Sequence, residues 1–132
     1  MLELVKSLRQ LCFSLEREVR REAGLTQAQV LSLLNLKADE VISCQEFSQR
    51  MDLSFSRGSR VIDALVRKGL ISRTSSRADR RCKRIKLTKK GLEVQKKVHQ
   101  ILARQEEHWR EKLGKEKTAR LTEYIRQILV EK

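Results

Sequence analysis

The sequence predicts a mainly α-helical chain with one small β-hairpin. Three observations carry that expectation. Proline is absent and glycine occurs only five times in 132 residues, so little interrupts a helix. Aromatic residues make up 4% of the chain, too few for the core of a β-sandwich or barrel. Apolar residues recur at three- and four-residue steps along most of the chain and alternate clearly only near residue 85. The length suits one domain, 1–132, with a real core.

The first helix runs from Leu2 to about Ala23. Leu4, Leu8, Leu11, Leu15 and Val19 form its apolar stripe, Arg9, Glu16, Arg17 and Arg20 lie on the other face, and Gly24 stops it. Thr26 to Gln29 has the form of a capping box. The helix it opens ends near Lys37 and buries Val30, Leu31 and Leu34. Val41-Ile42 is a very short strand candidate. Ser43 to Glu46 is a second capping box, opening a short helix with Phe47 and Met51 inward. Asp52-Leu53 makes a turn. Ser54 caps the next helix, whose inward residues are Val61, Ile62, Leu65 and Val66 and whose end is marked by Gly69. Two short helices joined by a tight turn, with Ser and Arg opening the second, form a helix-turn-helix.

Ile71 to Thr74 is a strand candidate, 75–83 a basic loop, and Arg84 to Leu87 the alternating return strand. This hairpin makes the fold a winged helix-turn-helix. Thr88 caps a long helix with Leu92, Val98, Ile101, Leu102 and Trp109 roughly on one side. Gly114 breaks it, and a last helix presents Leu121, Ile125, Ile128 and Leu129. Residues 26–87 are thus the winged-helix core, flanked by helical ends at 2–23 and 88–132. The apolar stripes of these ends exceed what a small core can cover. They pack on each other within one chain or, the favoured reading, on a second copy as terminal dimerisation helices.

The net charge is +13, and most of it lies between Arg57 and Lys90. There, thirteen Lys or Arg face only Asp63 and Asp79, a net of +11. An imbalance this concentrated points to a polyanion. It straddles a helix, a turn and a hairpin, unlike the basic face of one membrane-surface helix, and no apolar run is long enough to span a bilayer. Glu3, Lys6 and Arg9 interrupt the N-terminal stretch, so it does not read as a signal peptide, and the expected location is cytoplasmic. Cys12, Cys44 and Cys82 are widely spaced and make no disulfide framework. His99 and His108 fall on opposite helix faces, so no metal site or cofactor is expected. The isolated glycines make no phosphate loop, and no nucleophile elbow occurs, so an enzyme is not expected.

Double-stranded DNA is the polyanion that a winged helix suits. Ser54 and Ser56 supply hydroxyls at a helix N-terminus, which itself favours phosphate. Arg57 and Arg60, three apart, can enter the major groove and meet guanine, with Asp63 steadying Arg60 and Ser59 at a base edge or phosphate. In the wing, Arg80 and Arg81 can reach the minor groove, with Asp79 shaping the loop. Arg77, Lys83, Arg84 and Lys86 would hold phosphates, while Lys89 and Lys90 would touch only phosphate or solvent. A winged helix that binds RNA, or DNA without sequence choice, is the alternative.

The stretch from Ser59 to Ile71, then Asp79-Arg80-Arg81, then Ile85 to Gly91 resembles the MarR family of transcriptional regulators. The resemblance implies a homodimer on a pseudo-palindromic operator, with recognition helices in successive major grooves and a wing arginine in the minor groove. It also implies a repressor released by a small-molecule effector, bound in a cleft between the dimer helices and the winged core, or by oxidation. Gln10 to Leu15 is similar to the first helix of the OhrR-type peroxide sensors, which makes Cys12 the candidate redox sensor. Glu16 stands where those proteins carry a tyrosine. The other reading of Cys12 is a small buried residue on a dimer helix.

Overall fold

The computed structural model describes residues 2–75 and 83–130. Six helices and three strands follow in order: α1 (Glu3–Ala23), α2 (Gln27–Leu34), β1 (Ile42–Ser43), α3 (Cys44–Arg50), α4 (Phe55–Arg67), β2 (Ile71–Ser75), β3 (Lys83–Leu87), α5 (Lys89–Leu113) and α6 (Lys115–Val130). The strands form one antiparallel sheet in the order β1-β3-β2. The expected architecture, mainly helical with a hairpin wing after a helix-turn-helix, is the one observed. The chain divides into two compact units, Met1–Val98 and His99–Lys132.

In the first unit, local capping sets several of the helix ends. α1 ends at Gly24, which turns left-handed (φ 68°) and donates its N–H to the Arg20 carbonyl at 2.8 Å. α2 opens on a reciprocal capping box. The Gln29 N–H donates to Thr26 Oγ1 at 3.3 Å, and the Thr26 N–H donates to Gln29 Oε1 at 3.1 Å.

α2 is shorter than its sequence suggests and stops at Leu34, not near Lys37. Asn35 explains the early stop, because its Nδ2 donates to the Leu31 carbonyl at 2.8 Å and caps the helix end. The shortened helix also changes the buried set. Val30, Leu33 and Leu36 are buried, whereas Leu31 is 41% exposed and Leu34 is half-buried.

Ser43 caps α3 by accepting from the Glu46 N–H at 3.0 Å. The Glu46 side chain turns instead to Arg50, at 3.2 Å, so the second capping box is made only on its serine side. Arg50 also binds Glu40 at 2.5 Å and donates to the Asn35 carbonyl at 3.0 Å. Its hydrogen bond, with help from the Lys37 amide, holds the Glu40 carboxyl down at about 2.

Asp52 takes a left-handed turn (φ 54°) between α3 and α4. The two helices then cross closely at Gly58, where an added Cβ would lie 1.9 Å from Ser48 Oγ. Phe47, Ile62 and Leu65 are completely buried around this crossing, with Leu33 from α2 and Ile85 from β3. Burying each such side chain contributes roughly 1.5–3 kcal/mol before entropy is counted. Val61 and Val66, expected inward, flank this core half-buried.

At the start of α5, Thr88 Oγ1 accepts from the Gly91 N–H at 3.0 Å. The same hydroxyl donates to the Gly69 carbonyl at 2.6 Å, and the Thr88 N–H donates to the Leu70 carbonyl at 3.0 Å. The start of α5 is therefore stitched to the end of α4.

The second unit holds the last part of α5 and all of α6, separated at Gly114 (φ 85°). Exposed pairs Glu116–Arg120 and Glu123–Arg126 line one side of α6. Ile125, Ile128 and Leu129 are exposed on it.

Gly91 has no room for a side chain. A Cβ there would sit 2.0 Å from the Leu70 carbonyl oxygen, which is backbone and already bonded. Gly91→Ala is expected to destabilise the protein by about 1–3 kcal/mol in denaturant unfolding, despite the higher helix propensity of alanine.

Candidate nucleic-acid interface

The helix-turn-helix presents the first two turns of α4 outward. Gly58, Ile62 and Leu65 turn one face of this helix into the core. That fixes the opposite face, with Ser56, Arg60, Asp63 and Arg67, toward solvent. Ser54 caps the helix by accepting from the Arg57 N–H at 3.3 Å and lies 3.4 Å from the Ser56 hydroxyl. The amides of Phe55 and Ser56 have no carbonyl partner within the helix. Donors and a partial positive charge therefore point out of the helix start. Ser59 is half-buried beside them.

Arg57 and Arg60 are exposed, and neither has an ion-pair partner among the described residues. Asp63 does not steady Arg60 as the spacing suggests. Its carboxylate is bound by the Arg73 guanidinium, which reaches it from β2. That hydrogen bond, against a small desolvation cost, holds the Asp63 carboxyl below its ordinary value. Two other cations, Arg67 and Lys83, act on it in the same direction. Asp63 is thus consumed in joining the recognition helix to the wing, and Arg60 has no ion-pair partner among the described residues.

Arg73 is the residue that sequence reasoning passed over. Its signal lay in the strand period: Ile71 and Arg73 are two apart, so both face the helices. A charge on that face needs a counter-charge. Asp63 supplies it, although Arg73 Nε remains buried without a hydrogen-bond partner among the described residues. Phe55 was also missed; it is 60% exposed at the head of α4.

On β3, Ile85 and Leu87 are buried, while Lys83, Arg84 and Lys86 are exposed. Arg84 and Lys86 share the outer face, and Lys86 lies 3.8 Å from Asp39. The structure therefore groups Ser54, Ser56, Arg57, Ser59 and Arg60 at the start of α4; Lys83 on β3 is near enough to act on Asp63, whereas Arg84 lies on the outer face of the sheet. Arg77, Asp79, Arg80 and Arg81, and Cys82 with them, lie outside the described residues. Lys90 is not left to phosphate or solvent, because its ammonium donates to the Lys68 carbonyl at 3.0 Å. Cys12 is exposed on α1, so a single chain does not bury it. Cys44 is buried, and desolvation pushes its thiol up.

The Asp63–Arg73 pair makes a pH-dependent contribution whose sign follows from the shift. The folded carboxyl is lowered below 3.8, so the pair stabilises the fold above that pH and loses its effect as Asp63 protonates below it. Asp63→Asn is expected to lower the melting temperature at neutral pH. The gap from the unsubstituted protein should narrow as pH falls through 3.8 and below, as read by circular dichroism.

Comparison with known proteins agrees with this geometry. Residues 25–83 match the MarR family. The HTH-type transcriptional regulator PapX of Escherichia coli is 31% identical over 94 residues, which cover 64% of this chain and 57% of PapX. The chain thus matches only a little over half the length of that relative. The transcriptional repressor CouR, solved bound to a 23-mer DNA duplex, superposes with a TM-score of 0.80 at 26% identity, covering 93% of this chain and 89% of CouR. A mutant of MarR from Escherichia coli, solved in complex with operator DNA, superposes with a TM-score of 0.79 at 20% identity, covering 97% and 94%. The winged-helix core of this chain, residues 25–83, is thus similar to the MarR family.

Proposed function

We propose that this protein is a sequence-specific, double-stranded DNA-binding regulator of transcription that acts as a repressor. The observation that carries the reading is the pairing of Asp63 with Arg73. Arg57 and Arg60 then stand exposed at the start of a capped helix with no ion-pair partner among the described residues, beside Ser54, Ser56 and Ser59. That helix enters the major groove, where a bidentate arginine–guanine contact contributes about 1–3 kcal/mol of discrimination. Lys83 and Arg84 hold the backbone. Arg80 or Arg81 enters the minor groove, and Arg77 adds a backbone contact. CouR, which shares this fold at 26% identity, was solved bound to a 23-mer DNA duplex, and this supports the DNA-binding reading.

The protein works as a homodimer on a pseudo-palindrome. Leu4, Val5, Leu8 and Leu11 on α1, and Ile125, Ile128 and Leu129 on α6, are all exposed in a single chain. Each of these helices thus carries its own exposed apolar row, of the kind that marks an association site. A small-molecule effector or oxidation releases the DNA. In the oxidative case the reactive atom is the Cys12 thiol, which lies at the border of the α1 stripe.

Two measurements test this reading. The first uses duplexes that the protein enriches from a randomised pool. Arg60→Ala should cost about 1–3 kcal/mol on the enriched duplex and much less on random duplex. Binding by the unsubstituted protein should fall roughly a thousandfold or more between about 50 and 200 mM salt, as expected for six or more phosphate contacts. Failure to enrich any sequence would overturn the sequence-specific reading. The second is sedimentation equilibrium. The unsubstituted protein should be a dimer, and Leu8→Glu should shift it toward monomer by placing a charge in the apolar seam.

A further inference from the structure

Lys68 is the C-cap of α4, at the far end of the recognition helix from its reading residues. Its ammonium leaves the helix and crosses to the corner between α1 and α2. There it donates to the Gly24 carbonyl at 2.9 Å and to Gln29 Oε1 at 2.7 Å. Both acceptors are built to receive it. The Gly24 carbonyl lies at the C-terminus of α1, where carbonyls lack helical partners and a cation is favoured. Gln29 is buried, and its Oε1 already closes the capping box on the Thr26 amide at 3.1 Å.

The Lys68 backbone is held from the other side. Its carbonyl accepts from Lys90 Nζ at 3.0 Å. The next two carbonyls, of Gly69 and Leu70, are taken by Thr88. The end of α4 is therefore clamped between the α1–α2 corner and the start of α5. The corner side of the clamp is one exposed lysine, a kind of contact that contributes little to global stability.

We propose that Lys68 is a positioning residue for DNA reading: it pins the C-terminal end of the recognition helix to the α1–α2 corner and so sets the angle at which Ser54 to Arg60 meet the groove. The proposal rests on the DNA-binding reading above. Its consequence is that Lys68, although cationic and inside the basic segment, acts through geometry and not through phosphate.

The test compares Lys68→Met, which keeps the chain length without the donor, and Lys68→Arg, which keeps a donor, with the unsubstituted protein. Affinity is measured for the enriched duplex and for random duplex across a salt series. Amide hydrogen exchange is measured in the free proteins. Lys68→Met should lose roughly five- to tenfold in affinity for the enriched duplex alone. The slope of log affinity against log salt should not change, exchange should quicken at residues 24–29 and in the last turn of α4, and Lys68→Arg should restore much of the loss. An equal loss on both duplexes, with a slope reduced by about one, would make Lys68 a phosphate contact and overturn the proposal. Unchanged exchange in Lys68→Met would also overturn it, as would quickened exchange with undiminished preference for the enriched duplex. If the unsubstituted protein enriches no sequence, the DNA reading itself fails, and the exchange result still decides whether the clamp exists.

Discussion

The organisation of this protein depends on how tightly α4 is held. Three contacts do this, each of a different kind. At Gly58 the helix crosses α3 so closely that no side chain fits. At Asp63 it is tied by an ion pair to Arg73 on β2. At its end, the carbonyls of Lys68, Gly69 and Leu70 are all bound by Thr88 and Lys90, and Gly91 presses against the last of them. All three face inward or toward the wing. The first two turns of the outer face are what remains, and they carry serine and arginine. The helix is fixed by one set of residues so that another set can be left free.

Asp63, an acidic residue within the basic segment, gains meaning from this. A carboxylate on a DNA-facing surface repels phosphate unless it is neutralised. Asp63 is neutralised by a residue from another element, which removes it from the reading face electrostatically and links helix to wing. The same economy recurs away from the interface, where Arg50 gathers Glu40, Glu46 and the Asn35 carbonyl and so joins the β1 approach, α3 and the end of α2. Cations in this chain serve two purposes. Arg50, Lys68, Arg73 and Lys90 are spent on architecture, while Arg57, Arg60 and Arg84 have no ion-pair partner among the described residues.

What could be read from sequence was local in origin. The caps at Thr26, Ser43 and Ser54 and the breaks at Gly24, Gly69 and Gly114 depend on a few neighbouring residues, and the structure places each of them as its neighbours imply. The hairpin strands were legible because Ile85 and Leu87 alternate with charges. What failed was tertiary. Leu31 belongs to a helical stripe on paper, yet α2 turns Val30 and Leu33 into the core and leaves Leu31 outward, and the helix ends early at Asn35. Asp63 lies one turn from Arg60, and that spacing hid a stronger partner ten residues away across a turn. Lys68 and Lys90 looked like two more surface cations, because nothing in the sequence says which carbonyls they will find. The candidate interface was therefore legible as a region and as a charge, but not as a division between residues that hold the helix and residues that are free to read.

The central claim is that α4 enters the major groove as a rigid, pre-aimed reader. Methylation protection of guanine N7, which lies only in the major groove, tests it most directly on an enriched duplex. The account predicts two patches of protected guanines, one for each recognition helix, with centres about 10 base pairs or one helical turn apart, both lost in Arg60→Ala. Guanines that methylate as freely in the complex as in naked DNA, with protection confined to the sugar–phosphate backbone, would contradict it.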